Sequence, residues 1–422
     1  MVRKTEVFII LLCFLMYIKG ASADEALTWQ ECVQKALEHN PALSSAAESV
    51  KQSQADSAIA LSSMLPEVSS EGSGRTAKSA GSDEQDAYGY SVSGRQLIFD
   101  GFSSYNELKD ADEALKAAEY NYAVTSSDTR LDLKSAFVNL LKVEQLIQLT
   151  EDIAQRRNQN LELVKLRYEA GREHKGSLLT AEADLAQANF EATQAKRSLN
   201  LAQREMIKQL GLSDMQSVKV QGDFEVEEDC QAKPDFELLA DSTPFLKELI
   251  AEKEAARYNL RSNKGSFFPE IYLGATVGKS GANWEPRDTG WSANVSVSLP
   301  LFEGGSRIAG LKKAQSQFRQ AKEDLRSGRD SVLYVLEEAW IDFQDSIDKV
   351  QVEKKYLDAT EERAKIAQAQ YSTGLITFDD WTIIEDALVS DKKAYLNSLA
   401  DALIAEAYWV QAKGGTLEDE KE

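Results

Sequence analysis

The chain has 422 residues and a formal net charge of −21, with 69 acidic against 48 basic side chains. A charge of this sign argues against binding nucleic acid or anionic lipid headgroups by bulk electrostatics. The two histidines, His39 and His174, lie far apart in the sequence. This composition excludes a His-rich metal site and gives no support to a hydrolytic triad, so we expect no enzyme activity, metal or cofactor.

The first residues have the pattern of a secretory signal peptide. A basic start precedes an apolar stretch over residues 7–18, and small residues follow at 21–23. We predict a signal peptide over 1–23, because a membrane-anchor helix, the alternative, needs about 20 apolar residues. Two cysteines remain after it, Cys32 and Cys230, which form one disulfide or none.

The chain contains itself twice, in register. Pro41 recurs as Pro244, a constant offset of 203 residues. The same offset relates Pro66 to Pro269, Phe99 to Phe302, Gly101 to Gly304, Tyr168 to Tyr371 and Gly171 to Gly374. Solenoid repeats have periods of about 20 to 50 residues, so this is a duplicated whole module and predicts pseudo-twofold internal symmetry.

Both copies contain the same series of elements. The predicted elements of the first repeat, 24–210, are helices over 28–39 and 41–63, a β-hairpin over 67–99 and long helices over 102–170 and 177–210. Those of the second repeat, 243–413, are a helix over 243–264, a β-hairpin over 269–302 and long helices over 306–373 and 378–412. The acidic segment 211–242 is predicted to be an equatorial linker, and 414–422 a disordered acidic tail.

The hairpins are predicted from strict alternation. Ile271, Leu273, Ala275 and Val277 alternate with Tyr272, Gly274, Thr276 and Gly278, which gives one apolar and one polar face. Strands of about 9 to 11 residues are long enough to cross a membrane at a tilt. The same pattern fits the edge of a soluble sheet, and periodicity leaves both interpretations open.

The long helical segments contain no proline and are rich in Ala, Leu, Lys, Glu and Gln. Their apolar residues follow heptad spacing, as at Leu336, Trp340, Phe343 and Ile347. A seam this narrow is typical of a coiled-coil contact. Each long helix stops near a glycine that fits a helix C-cap, so each repeat is predicted to form a long antiparallel helical hairpin.

Four strands are too few to close a membrane barrel, for which about eight is the minimum. Strands that span a membrane therefore require oligomerisation. Two chains give eight strands, a barrel filled by its own side chains, whereas three give twelve strands and leave space for a lumen. Aromatic residues recur where the strands end, at Phe99, Phe268 and Phe302, and favour a membrane interface there.

Taken together, these features resemble the TolC-type outer-membrane efflux proteins. The resemblance covers the order of elements in both repeats, with Pro66-Glu67 and Pro269-Glu270 entering the first strand of each hairpin. It implies an α+β fold in which long helical hairpins form a periplasmic α-barrel. It also implies that two β-hairpins per chain contribute to a twelve-stranded transmembrane β-barrel in a homotrimer.

The resemblance implies a function in the outer membrane. A protein of this family provides a gated passive exit duct for a tripartite efflux pump or a type I secretion system. The implied partners are a periplasmic adaptor, an inner-membrane transporter and outer-membrane lipid, with no nucleic acid. A periplasmic soluble coiled-coil protein is the alternative, and the sequence does not identify the cargo.

Several gate residues are implied by matching the family pattern. Tyr371 matches the gating tyrosine and Asp380 an entrance-ring aspartate, with Asp379 beside it. Three identical carboxylates around a threefold axis would attract cations. Ser177 stands where the pattern has a gate aspartate, and Ile376 where it has a gate arginine, so the usual polar lock is incomplete. The charged residues 172–175 of the first turn are candidate replacements or merely solvated.

The two turns are also the expected docking site for the adaptor. Tyr168 and Gly171 mark the first turn, and Gly374 and Trp381 the second. Trp381 is either an exposed aromatic anchor for the adaptor or a side chain packed inside the tip.

Overall fold

The computed structural model describes residues 26–78, 80–81, 84–213, 217–226 and 233–421. The predicted signal peptide over 1–23 lies outside these residues, and so does Cys230. Cys32 is a buried free thiol, and its burial raises its pKa to about 12.

The first repeat starts with two short helices. In chain order its elements are α1 Trp29–His39, α2 Pro41–Ser62, β1 Glu67–Ala77, β2 Gln85–Phe99, α3 Ser103–Glu169 and α4 Lys175–Leu210. A capping box starts α1, because the Thr28 hydroxyl accepts the N–H of Glu31 and the Glu31 carboxylate accepts the N–H of Thr28. Asn40 caps α2, and Pro41 occupies its first turn.

The second repeat follows the same order after one additional helix. Its elements are α5 Phe236–Ser242, α6 Pro244–Gly265, β3 Glu270–Gly281, β4 Asp288–Ser298, α7 Ser306–Thr373 and α8 Phe378–Ala412. α5 lies in the segment predicted as a linker. None of the helices in the described part of the chain combines the length and apolar content needed to cross a bilayer. The predicted α+β class, with helical hairpins and two β-hairpins, is confirmed.

The two β-hairpins form one antiparallel sheet in the order β1-β2-β3-β4. The central pairing of β2 with β3 joins the two repeats, and β1 and β4 are the sheet edges. The register aligns Val92, Val277 and Trp291 on one face and Ser93, Thr276 and Ser292 on the other. The middle of the sheet therefore has an apolar and a polar face, as period two requires, whereas Gln96 and Lys279 lie on the apolar face towards its two ends.

The four long helices form a layer in the order α4-α3-α8-α7. α3 packs against α4 and α8, and α8 packs against α7. Nearer the sheet, α2 and α6 take the places of α4 and α8, since α2 packs on α3 and α6 packs on α3 and α7. The main core lies between these levels, where α1, α3, α4 and α8 bury Val33, Leu133, Leu140, Met206 and Ala400.

Two equivalent glycines lie where the long helices α4 and α8 meet the helices nearer the sheet. Gly211 ends α4 at φ 72°, and a Cβ there would lie 2.2 Å from the carbonyl oxygen of His39. Gly414 follows α8 at φ 82°, and its Cβ would lie 2.3 Å from Cδ of Pro244. Each glycine packs the end of a long helix against the start of α2 or α6. Only glycine allows both the positive φ and this close approach.

The C-terminal segment differs from the disordered tail predicted from the sequence. Residues Glu418–Lys421 form a 3₁₀ helix, and Leu417 before it is completely buried. Glu418 accepts a hydrogen bond of 2.8 Å from the Tyr122 hydroxyl. Glu420 accepts one of 2.9 Å from Trp29 Nε1. The segment is ordered because its acidic side chains meet donors on α1 and α3, which lie far away in the sequence.

Candidate functional site at the helical turns

The two helical hairpins turn at the end of the layer remote from the sheet. Gly171 and Gly374 occupy the turns with φ 69° and 83°, the left-handed region that glycine favours. Beyond the first glycine, the N–H of Arg172 bonds to the carbonyl of Arg167 at 2.8 Å. Beyond the second, Leu375 bonds to Gln370 at 2.8 Å. Both turns are Schellman caps, which satisfy carbonyl groups in the last turns of α3 and α7.

An aromatic cluster joins the helices beside these turns. Tyr371 is completely buried and stacks on Trp381, with ring centroids 4.3 Å apart and planes 14° apart. Phe378 lies edge-on to both rings. Val164 of α3 and Ala181 of α4 complete the cluster, so residues of all four long helices meet here.

The structure rejects the exposed interpretation of Trp381. The side chain is 1% exposed and fills the space between the two hairpins. Its stacking on Tyr371 removes it from any docking surface. Tyr168, the other aromatic predicted at the tip, is 38% exposed and remains accessible.

A polar network surrounds the hydroxyl of Tyr371. This hydroxyl donates to Glu173 of the first turn at 2.9 Å. The same carboxylate accepts a bond of 2.9 Å from the Ser177 hydroxyl. Arg167 donates to the carbonyl oxygen of Tyr371 at 2.7 Å, and its guanidinium lies 4.6 Å from the centre of the tyrosine ring. The network therefore ties the second hairpin to the first within one chain.

Near neutral pH, Tyr371 is protonated and Glu173 is ionised, which favours the hydrogen bond between them. Burial raises the pKa of Tyr371, and its hydrogen bond to Glu173 raises it further. Burial alone would raise the pKa of Glu173, but the hydrogen bonds from Ser177 and Tyr371 and the charge of Arg167 outweigh it and lower that pKa. A neutral phenol thus donates to an ionised carboxylate, which is a strong type of hydrogen bond.

The two predicted ring aspartates are exposed at the start of α8. Thr377 caps α8, because its hydroxyl accepts the N–H of Asp380 at 3.1 Å and also donates to the Asp380 carboxylate at 2.7 Å. Asp379 precedes it on the same turn. Both carboxylates also lie at the positive end of the helix dipole, so they have a structural role besides any role in a channel.

A second set of charged contacts was missed by sequence reasoning. Glu385 is 2% exposed and accepts two bonds of 2.7 Å from Arg156 and one of 3.0 Å from Asn160. These bonds tie α8 to α3 one helical turn beyond Trp381. The sequence could have indicated these contacts, because Glu385 shares the apolar helix face of Trp381 and Leu388, where a buried carboxylate requires a partner.

The predicted aromatic interface lies at the other end of the long helices. Phe99 is partly buried, with its ring centroid 5.6 Å from that of Phe102. Phe268 and Phe302 are 54% and 86% exposed. At 1.5 Å per residue, α3 separates this region from the turns by roughly 100 Å. The predicted site residues therefore form two groups at opposite ends of the molecule.

Known proteins share this architecture. The family model described as outer membrane efflux protein matches residues 32–212 and 237–415, one stretch in each repeat. The outer membrane efflux protein BepC of Brucella suis is 22% identical over 381 residues, which cover 87% of this chain and 82% of BepC. The alkaline protease secretion protein AprF of Pseudomonas aeruginosa is 22% identical, over 76% of this chain and 68% of AprF.

The fold also matches a solved structure of an outer membrane protein. The outer membrane protein VceC of Vibrio cholerae superposes with a TM-score of 0.81 and 19% identity, covering 92% of this chain and 96% of VceC. The family match extends over most of the chain and includes both repeats. The chain belongs to the outer membrane efflux protein family.

Proposed function

We propose that three copies of this chain form a gated, passive exit duct across the outer membrane and the periplasm. The supporting observation is that one chain is an open layer along its whole length. β1 and α4 of the first repeat lie at one edge, and β4 and α7 of the second repeat at the other. Joining unlike edges by rotation closes a ring, so each copy leaves the duct incomplete without its neighbours.

Exposed apolar side chains follow both helical edges. Leu179, Phe190 and Leu201 of α4 recur every eleven residues, with exposures of 52%, 51% and 74%. α7 exposes Tyr334, Ile341, Val352 and Tyr356. Apolar stripes at helical spacing favour a partner helix. We infer that α4 of one copy packs against α7 of the next.

The number of copies follows from the sheet. Four strands per chain give eight strands from two copies, which leave no lumen, and twelve from three. The polar face carries small side chains such as Ser91, Ser93, Thr276 and Ser292, which suit a water-filled interior. Three copies are therefore the smallest assembly that provides a passage.

The contacts of Tyr371 with Glu173 and Arg167 are proposed to hold the periplasmic end closed. Opening requires the second hairpin to move away from the first, and this movement breaks the hydrogen bonds that cross between them. Asp379 and Asp380 are proposed to add a ring of negative charge that attracts cations at the entrance. Ser177 holds Glu173 in place, whereas the family pattern has an aspartate at its position.

A periplasmic adaptor and an inner-membrane transporter are the proposed partners. The tip offers exposed apolar side chains for docking, with Leu375 76% exposed and Leu166 64% exposed, next to Tyr168. The matches to BepC and AprF, named for efflux and for protease secretion, support export as the general role. The energy for transport would come from the transporter, because the duct itself is passive.

Planar-bilayer recording tests this function. The purified protein should produce discrete conductance steps that increase when Glu173→Gln weakens the tip. Glu362→Gln is the matched control, because this exposed carboxylate of α7 pairs with Lys365 on its own helix, and it should leave the conductance unchanged. Absence of channels, together with extraction from cells without detergent, would favour the soluble coiled-coil alternative.

A further inference from the structure

The apolar face of the sheet carries a cleft at the end remote from the helices. β1 and β3 enter the sheet from the helical side, so Ala77 and Gly281 mark its far end. A cleft of about 680 Å³ lies there, bounded by β1, β2, β3 and the loop before β4. The register places it on the face of Val92 and Val277. In a membrane barrel, this position is at the outward leaflet.

The cleft has an apolar floor and an aromatic wall. Gly72 and Gly74 form the floor, and Tyr88 and Tyr90 stand beside them on β2. Trp284, from the loop between β3 and β4, lies edge-on to Tyr88, with ring centroids 5.8 Å apart and planes at 86°. The indole is nonetheless 81% exposed. Aromatic side chains at this level are typical of a membrane–water interface.

Two cations line the same cleft. Lys279 is the register partner of Tyr90, and Arg287 follows from the loop. Neither forms an ion pair within the part of the chain that the structure describes. Glu285 also lines the cleft, so two cations face one carboxylate. The side chains that line the cleft therefore carry a net positive charge, with Asp86 on the same face one register step beyond Tyr88.

We propose that this cleft binds a phosphate-bearing lipid of the outward leaflet. The phosphate lies at Lys279 and Arg287, and an acyl chain lies over Gly72 and Gly74 beside Tyr90. The floor continues into the apolar strand face, which accommodates an acyl chain and offers no contact to a soluble phosphate. The site rests on the proposed membrane orientation of the sheet, and it requires no closure of the periplasmic tip.

Native mass spectrometry of the detergent-solubilised protein tests the proposal. The probe is a hexa-acylated diphosphoryl glucosamine lipid, compared with its dephosphorylated form and with inorganic phosphate. The protein should retain the phosphorylated lipid preferentially. The double substitution of Lys279→Gln with Arg287→Gln should reduce that retention by roughly tenfold or more, because each cation adds to the free energy of binding an anionic lipid. Trp284→Ala should reduce retention of both lipid forms.

Arg75→Gln is the matched control. Arg75 lies near the same end of the sheet but pairs with Ala87, on the polar face. The Arg75→Gln variant should retain as much lipid as the native protein. Equal retention of both lipid forms by the native protein, equal competition by inorganic phosphate, or an equal loss in Arg75→Gln would overturn the proposal. The same spectra report the number of chains per complex, so a failure of the trimer is distinguished from a loss of lipid.

Discussion

At the level of single residues, Tyr371 shows what a sequence can predict about this site. Its match to the gating tyrosine of the family implied a role at the tip, but its partner Glu173 could not be chosen from the charged residues of the first turn. Charged side chains in an exposed turn are most often solvated. Only the packing of the two hairpins brings Glu173 to the hydroxyl of a residue 198 positions away.

Tyr371→Phe should loosen the tip without unfolding it. The ring remains stacked on Trp381, while the hydrogen bond to Glu173 is lost, at a cost of about 1.5 to 3 kcal/mol for a bond to a charged group. We expect more frequent open states in single-channel recordings. Tyr122→Phe is the control, because it removes an equivalent hydroxyl-to-carboxylate bond, to Glu418 at 2.8 Å, far from the tip. Unchanged opening in Tyr371→Phe would show that the bond does not hold the tip closed.

The tip should also loosen in acid. The pKa of Glu173 is lowered in the folded state, so its contribution is complete above its unfolded-state pKa and is lost as the pH falls through the folded pKa. We expect channel opening to increase over that acidic range, and Glu173→Gln to remove the dependence. His174→Asn keeps a side chain that can cap α4 and tests whether the neighbouring imidazole is responsible. A pH response that persists in Glu173→Gln would assign it to another group.

At the level of elements, the repeat of apolar residues along the chain predicted the strands and the long helices. Alternation around Ile271 identifies a strand, and heptad spacing around Trp340 identifies a helix, because each pattern places the apolar side chains on one face of the element. The ordered tail was predicted wrongly, because its composition is polar and its partners Tyr122 and Trp29 lie in distant helices. Similarly, the buried Glu385 is explained only by Arg156 on another helix.

Gly211→Ala should destabilise the junction between α4 and α2. An L residue at φ 72° is strained by about 1 to 2 kcal/mol, and its Cβ would clash with the His39 carbonyl, which adds to the cost. We expect faster hydrogen exchange around both helix ends. Gly72→Ala, with no atom within 4 Å of its Cβ, is the control. Equal exchange in the two variants would mean that the junction tolerates a side chain.

At the level of the whole molecule, the duplication explains why one chain has two unlike open edges. Each repeat supplies one hairpin of strands and one of helices, and the central contacts of β2 with β3 and of α3 with α8 join the repeats. The outer edges are left for other copies. The offset of 203 residues predicted the duplication, and the strand count predicted that a membrane barrel needs more than one chain, but the order of strands and helices comes from the structure. The lipid cleft was not predicted, because the loop carrying Trp284 has no periodic pattern.

Leu201→Arg should weaken the assembly. The side chain is 74% exposed in one chain and lies in the α4 stripe, where a charge would be buried against α7 of the next copy. We expect dissociation to single chains at higher protein concentration than for the native protein. Leu238→Arg, on α5 and 72% exposed, lies outside the stripe and should have no effect. Equal stability of the two variants would place the interface elsewhere.

The most direct test of the closed trimeric duct is the protein mass of the complex in mild detergent. Light scattering combined with absorbance and refractive index separates the protein from the bound detergent. We expect the mass of three mature chains, because three copies are the fewest that close the strand and helix layers around a lumen. A mass of one or two chains, or a protein that needs no detergent, would contradict it.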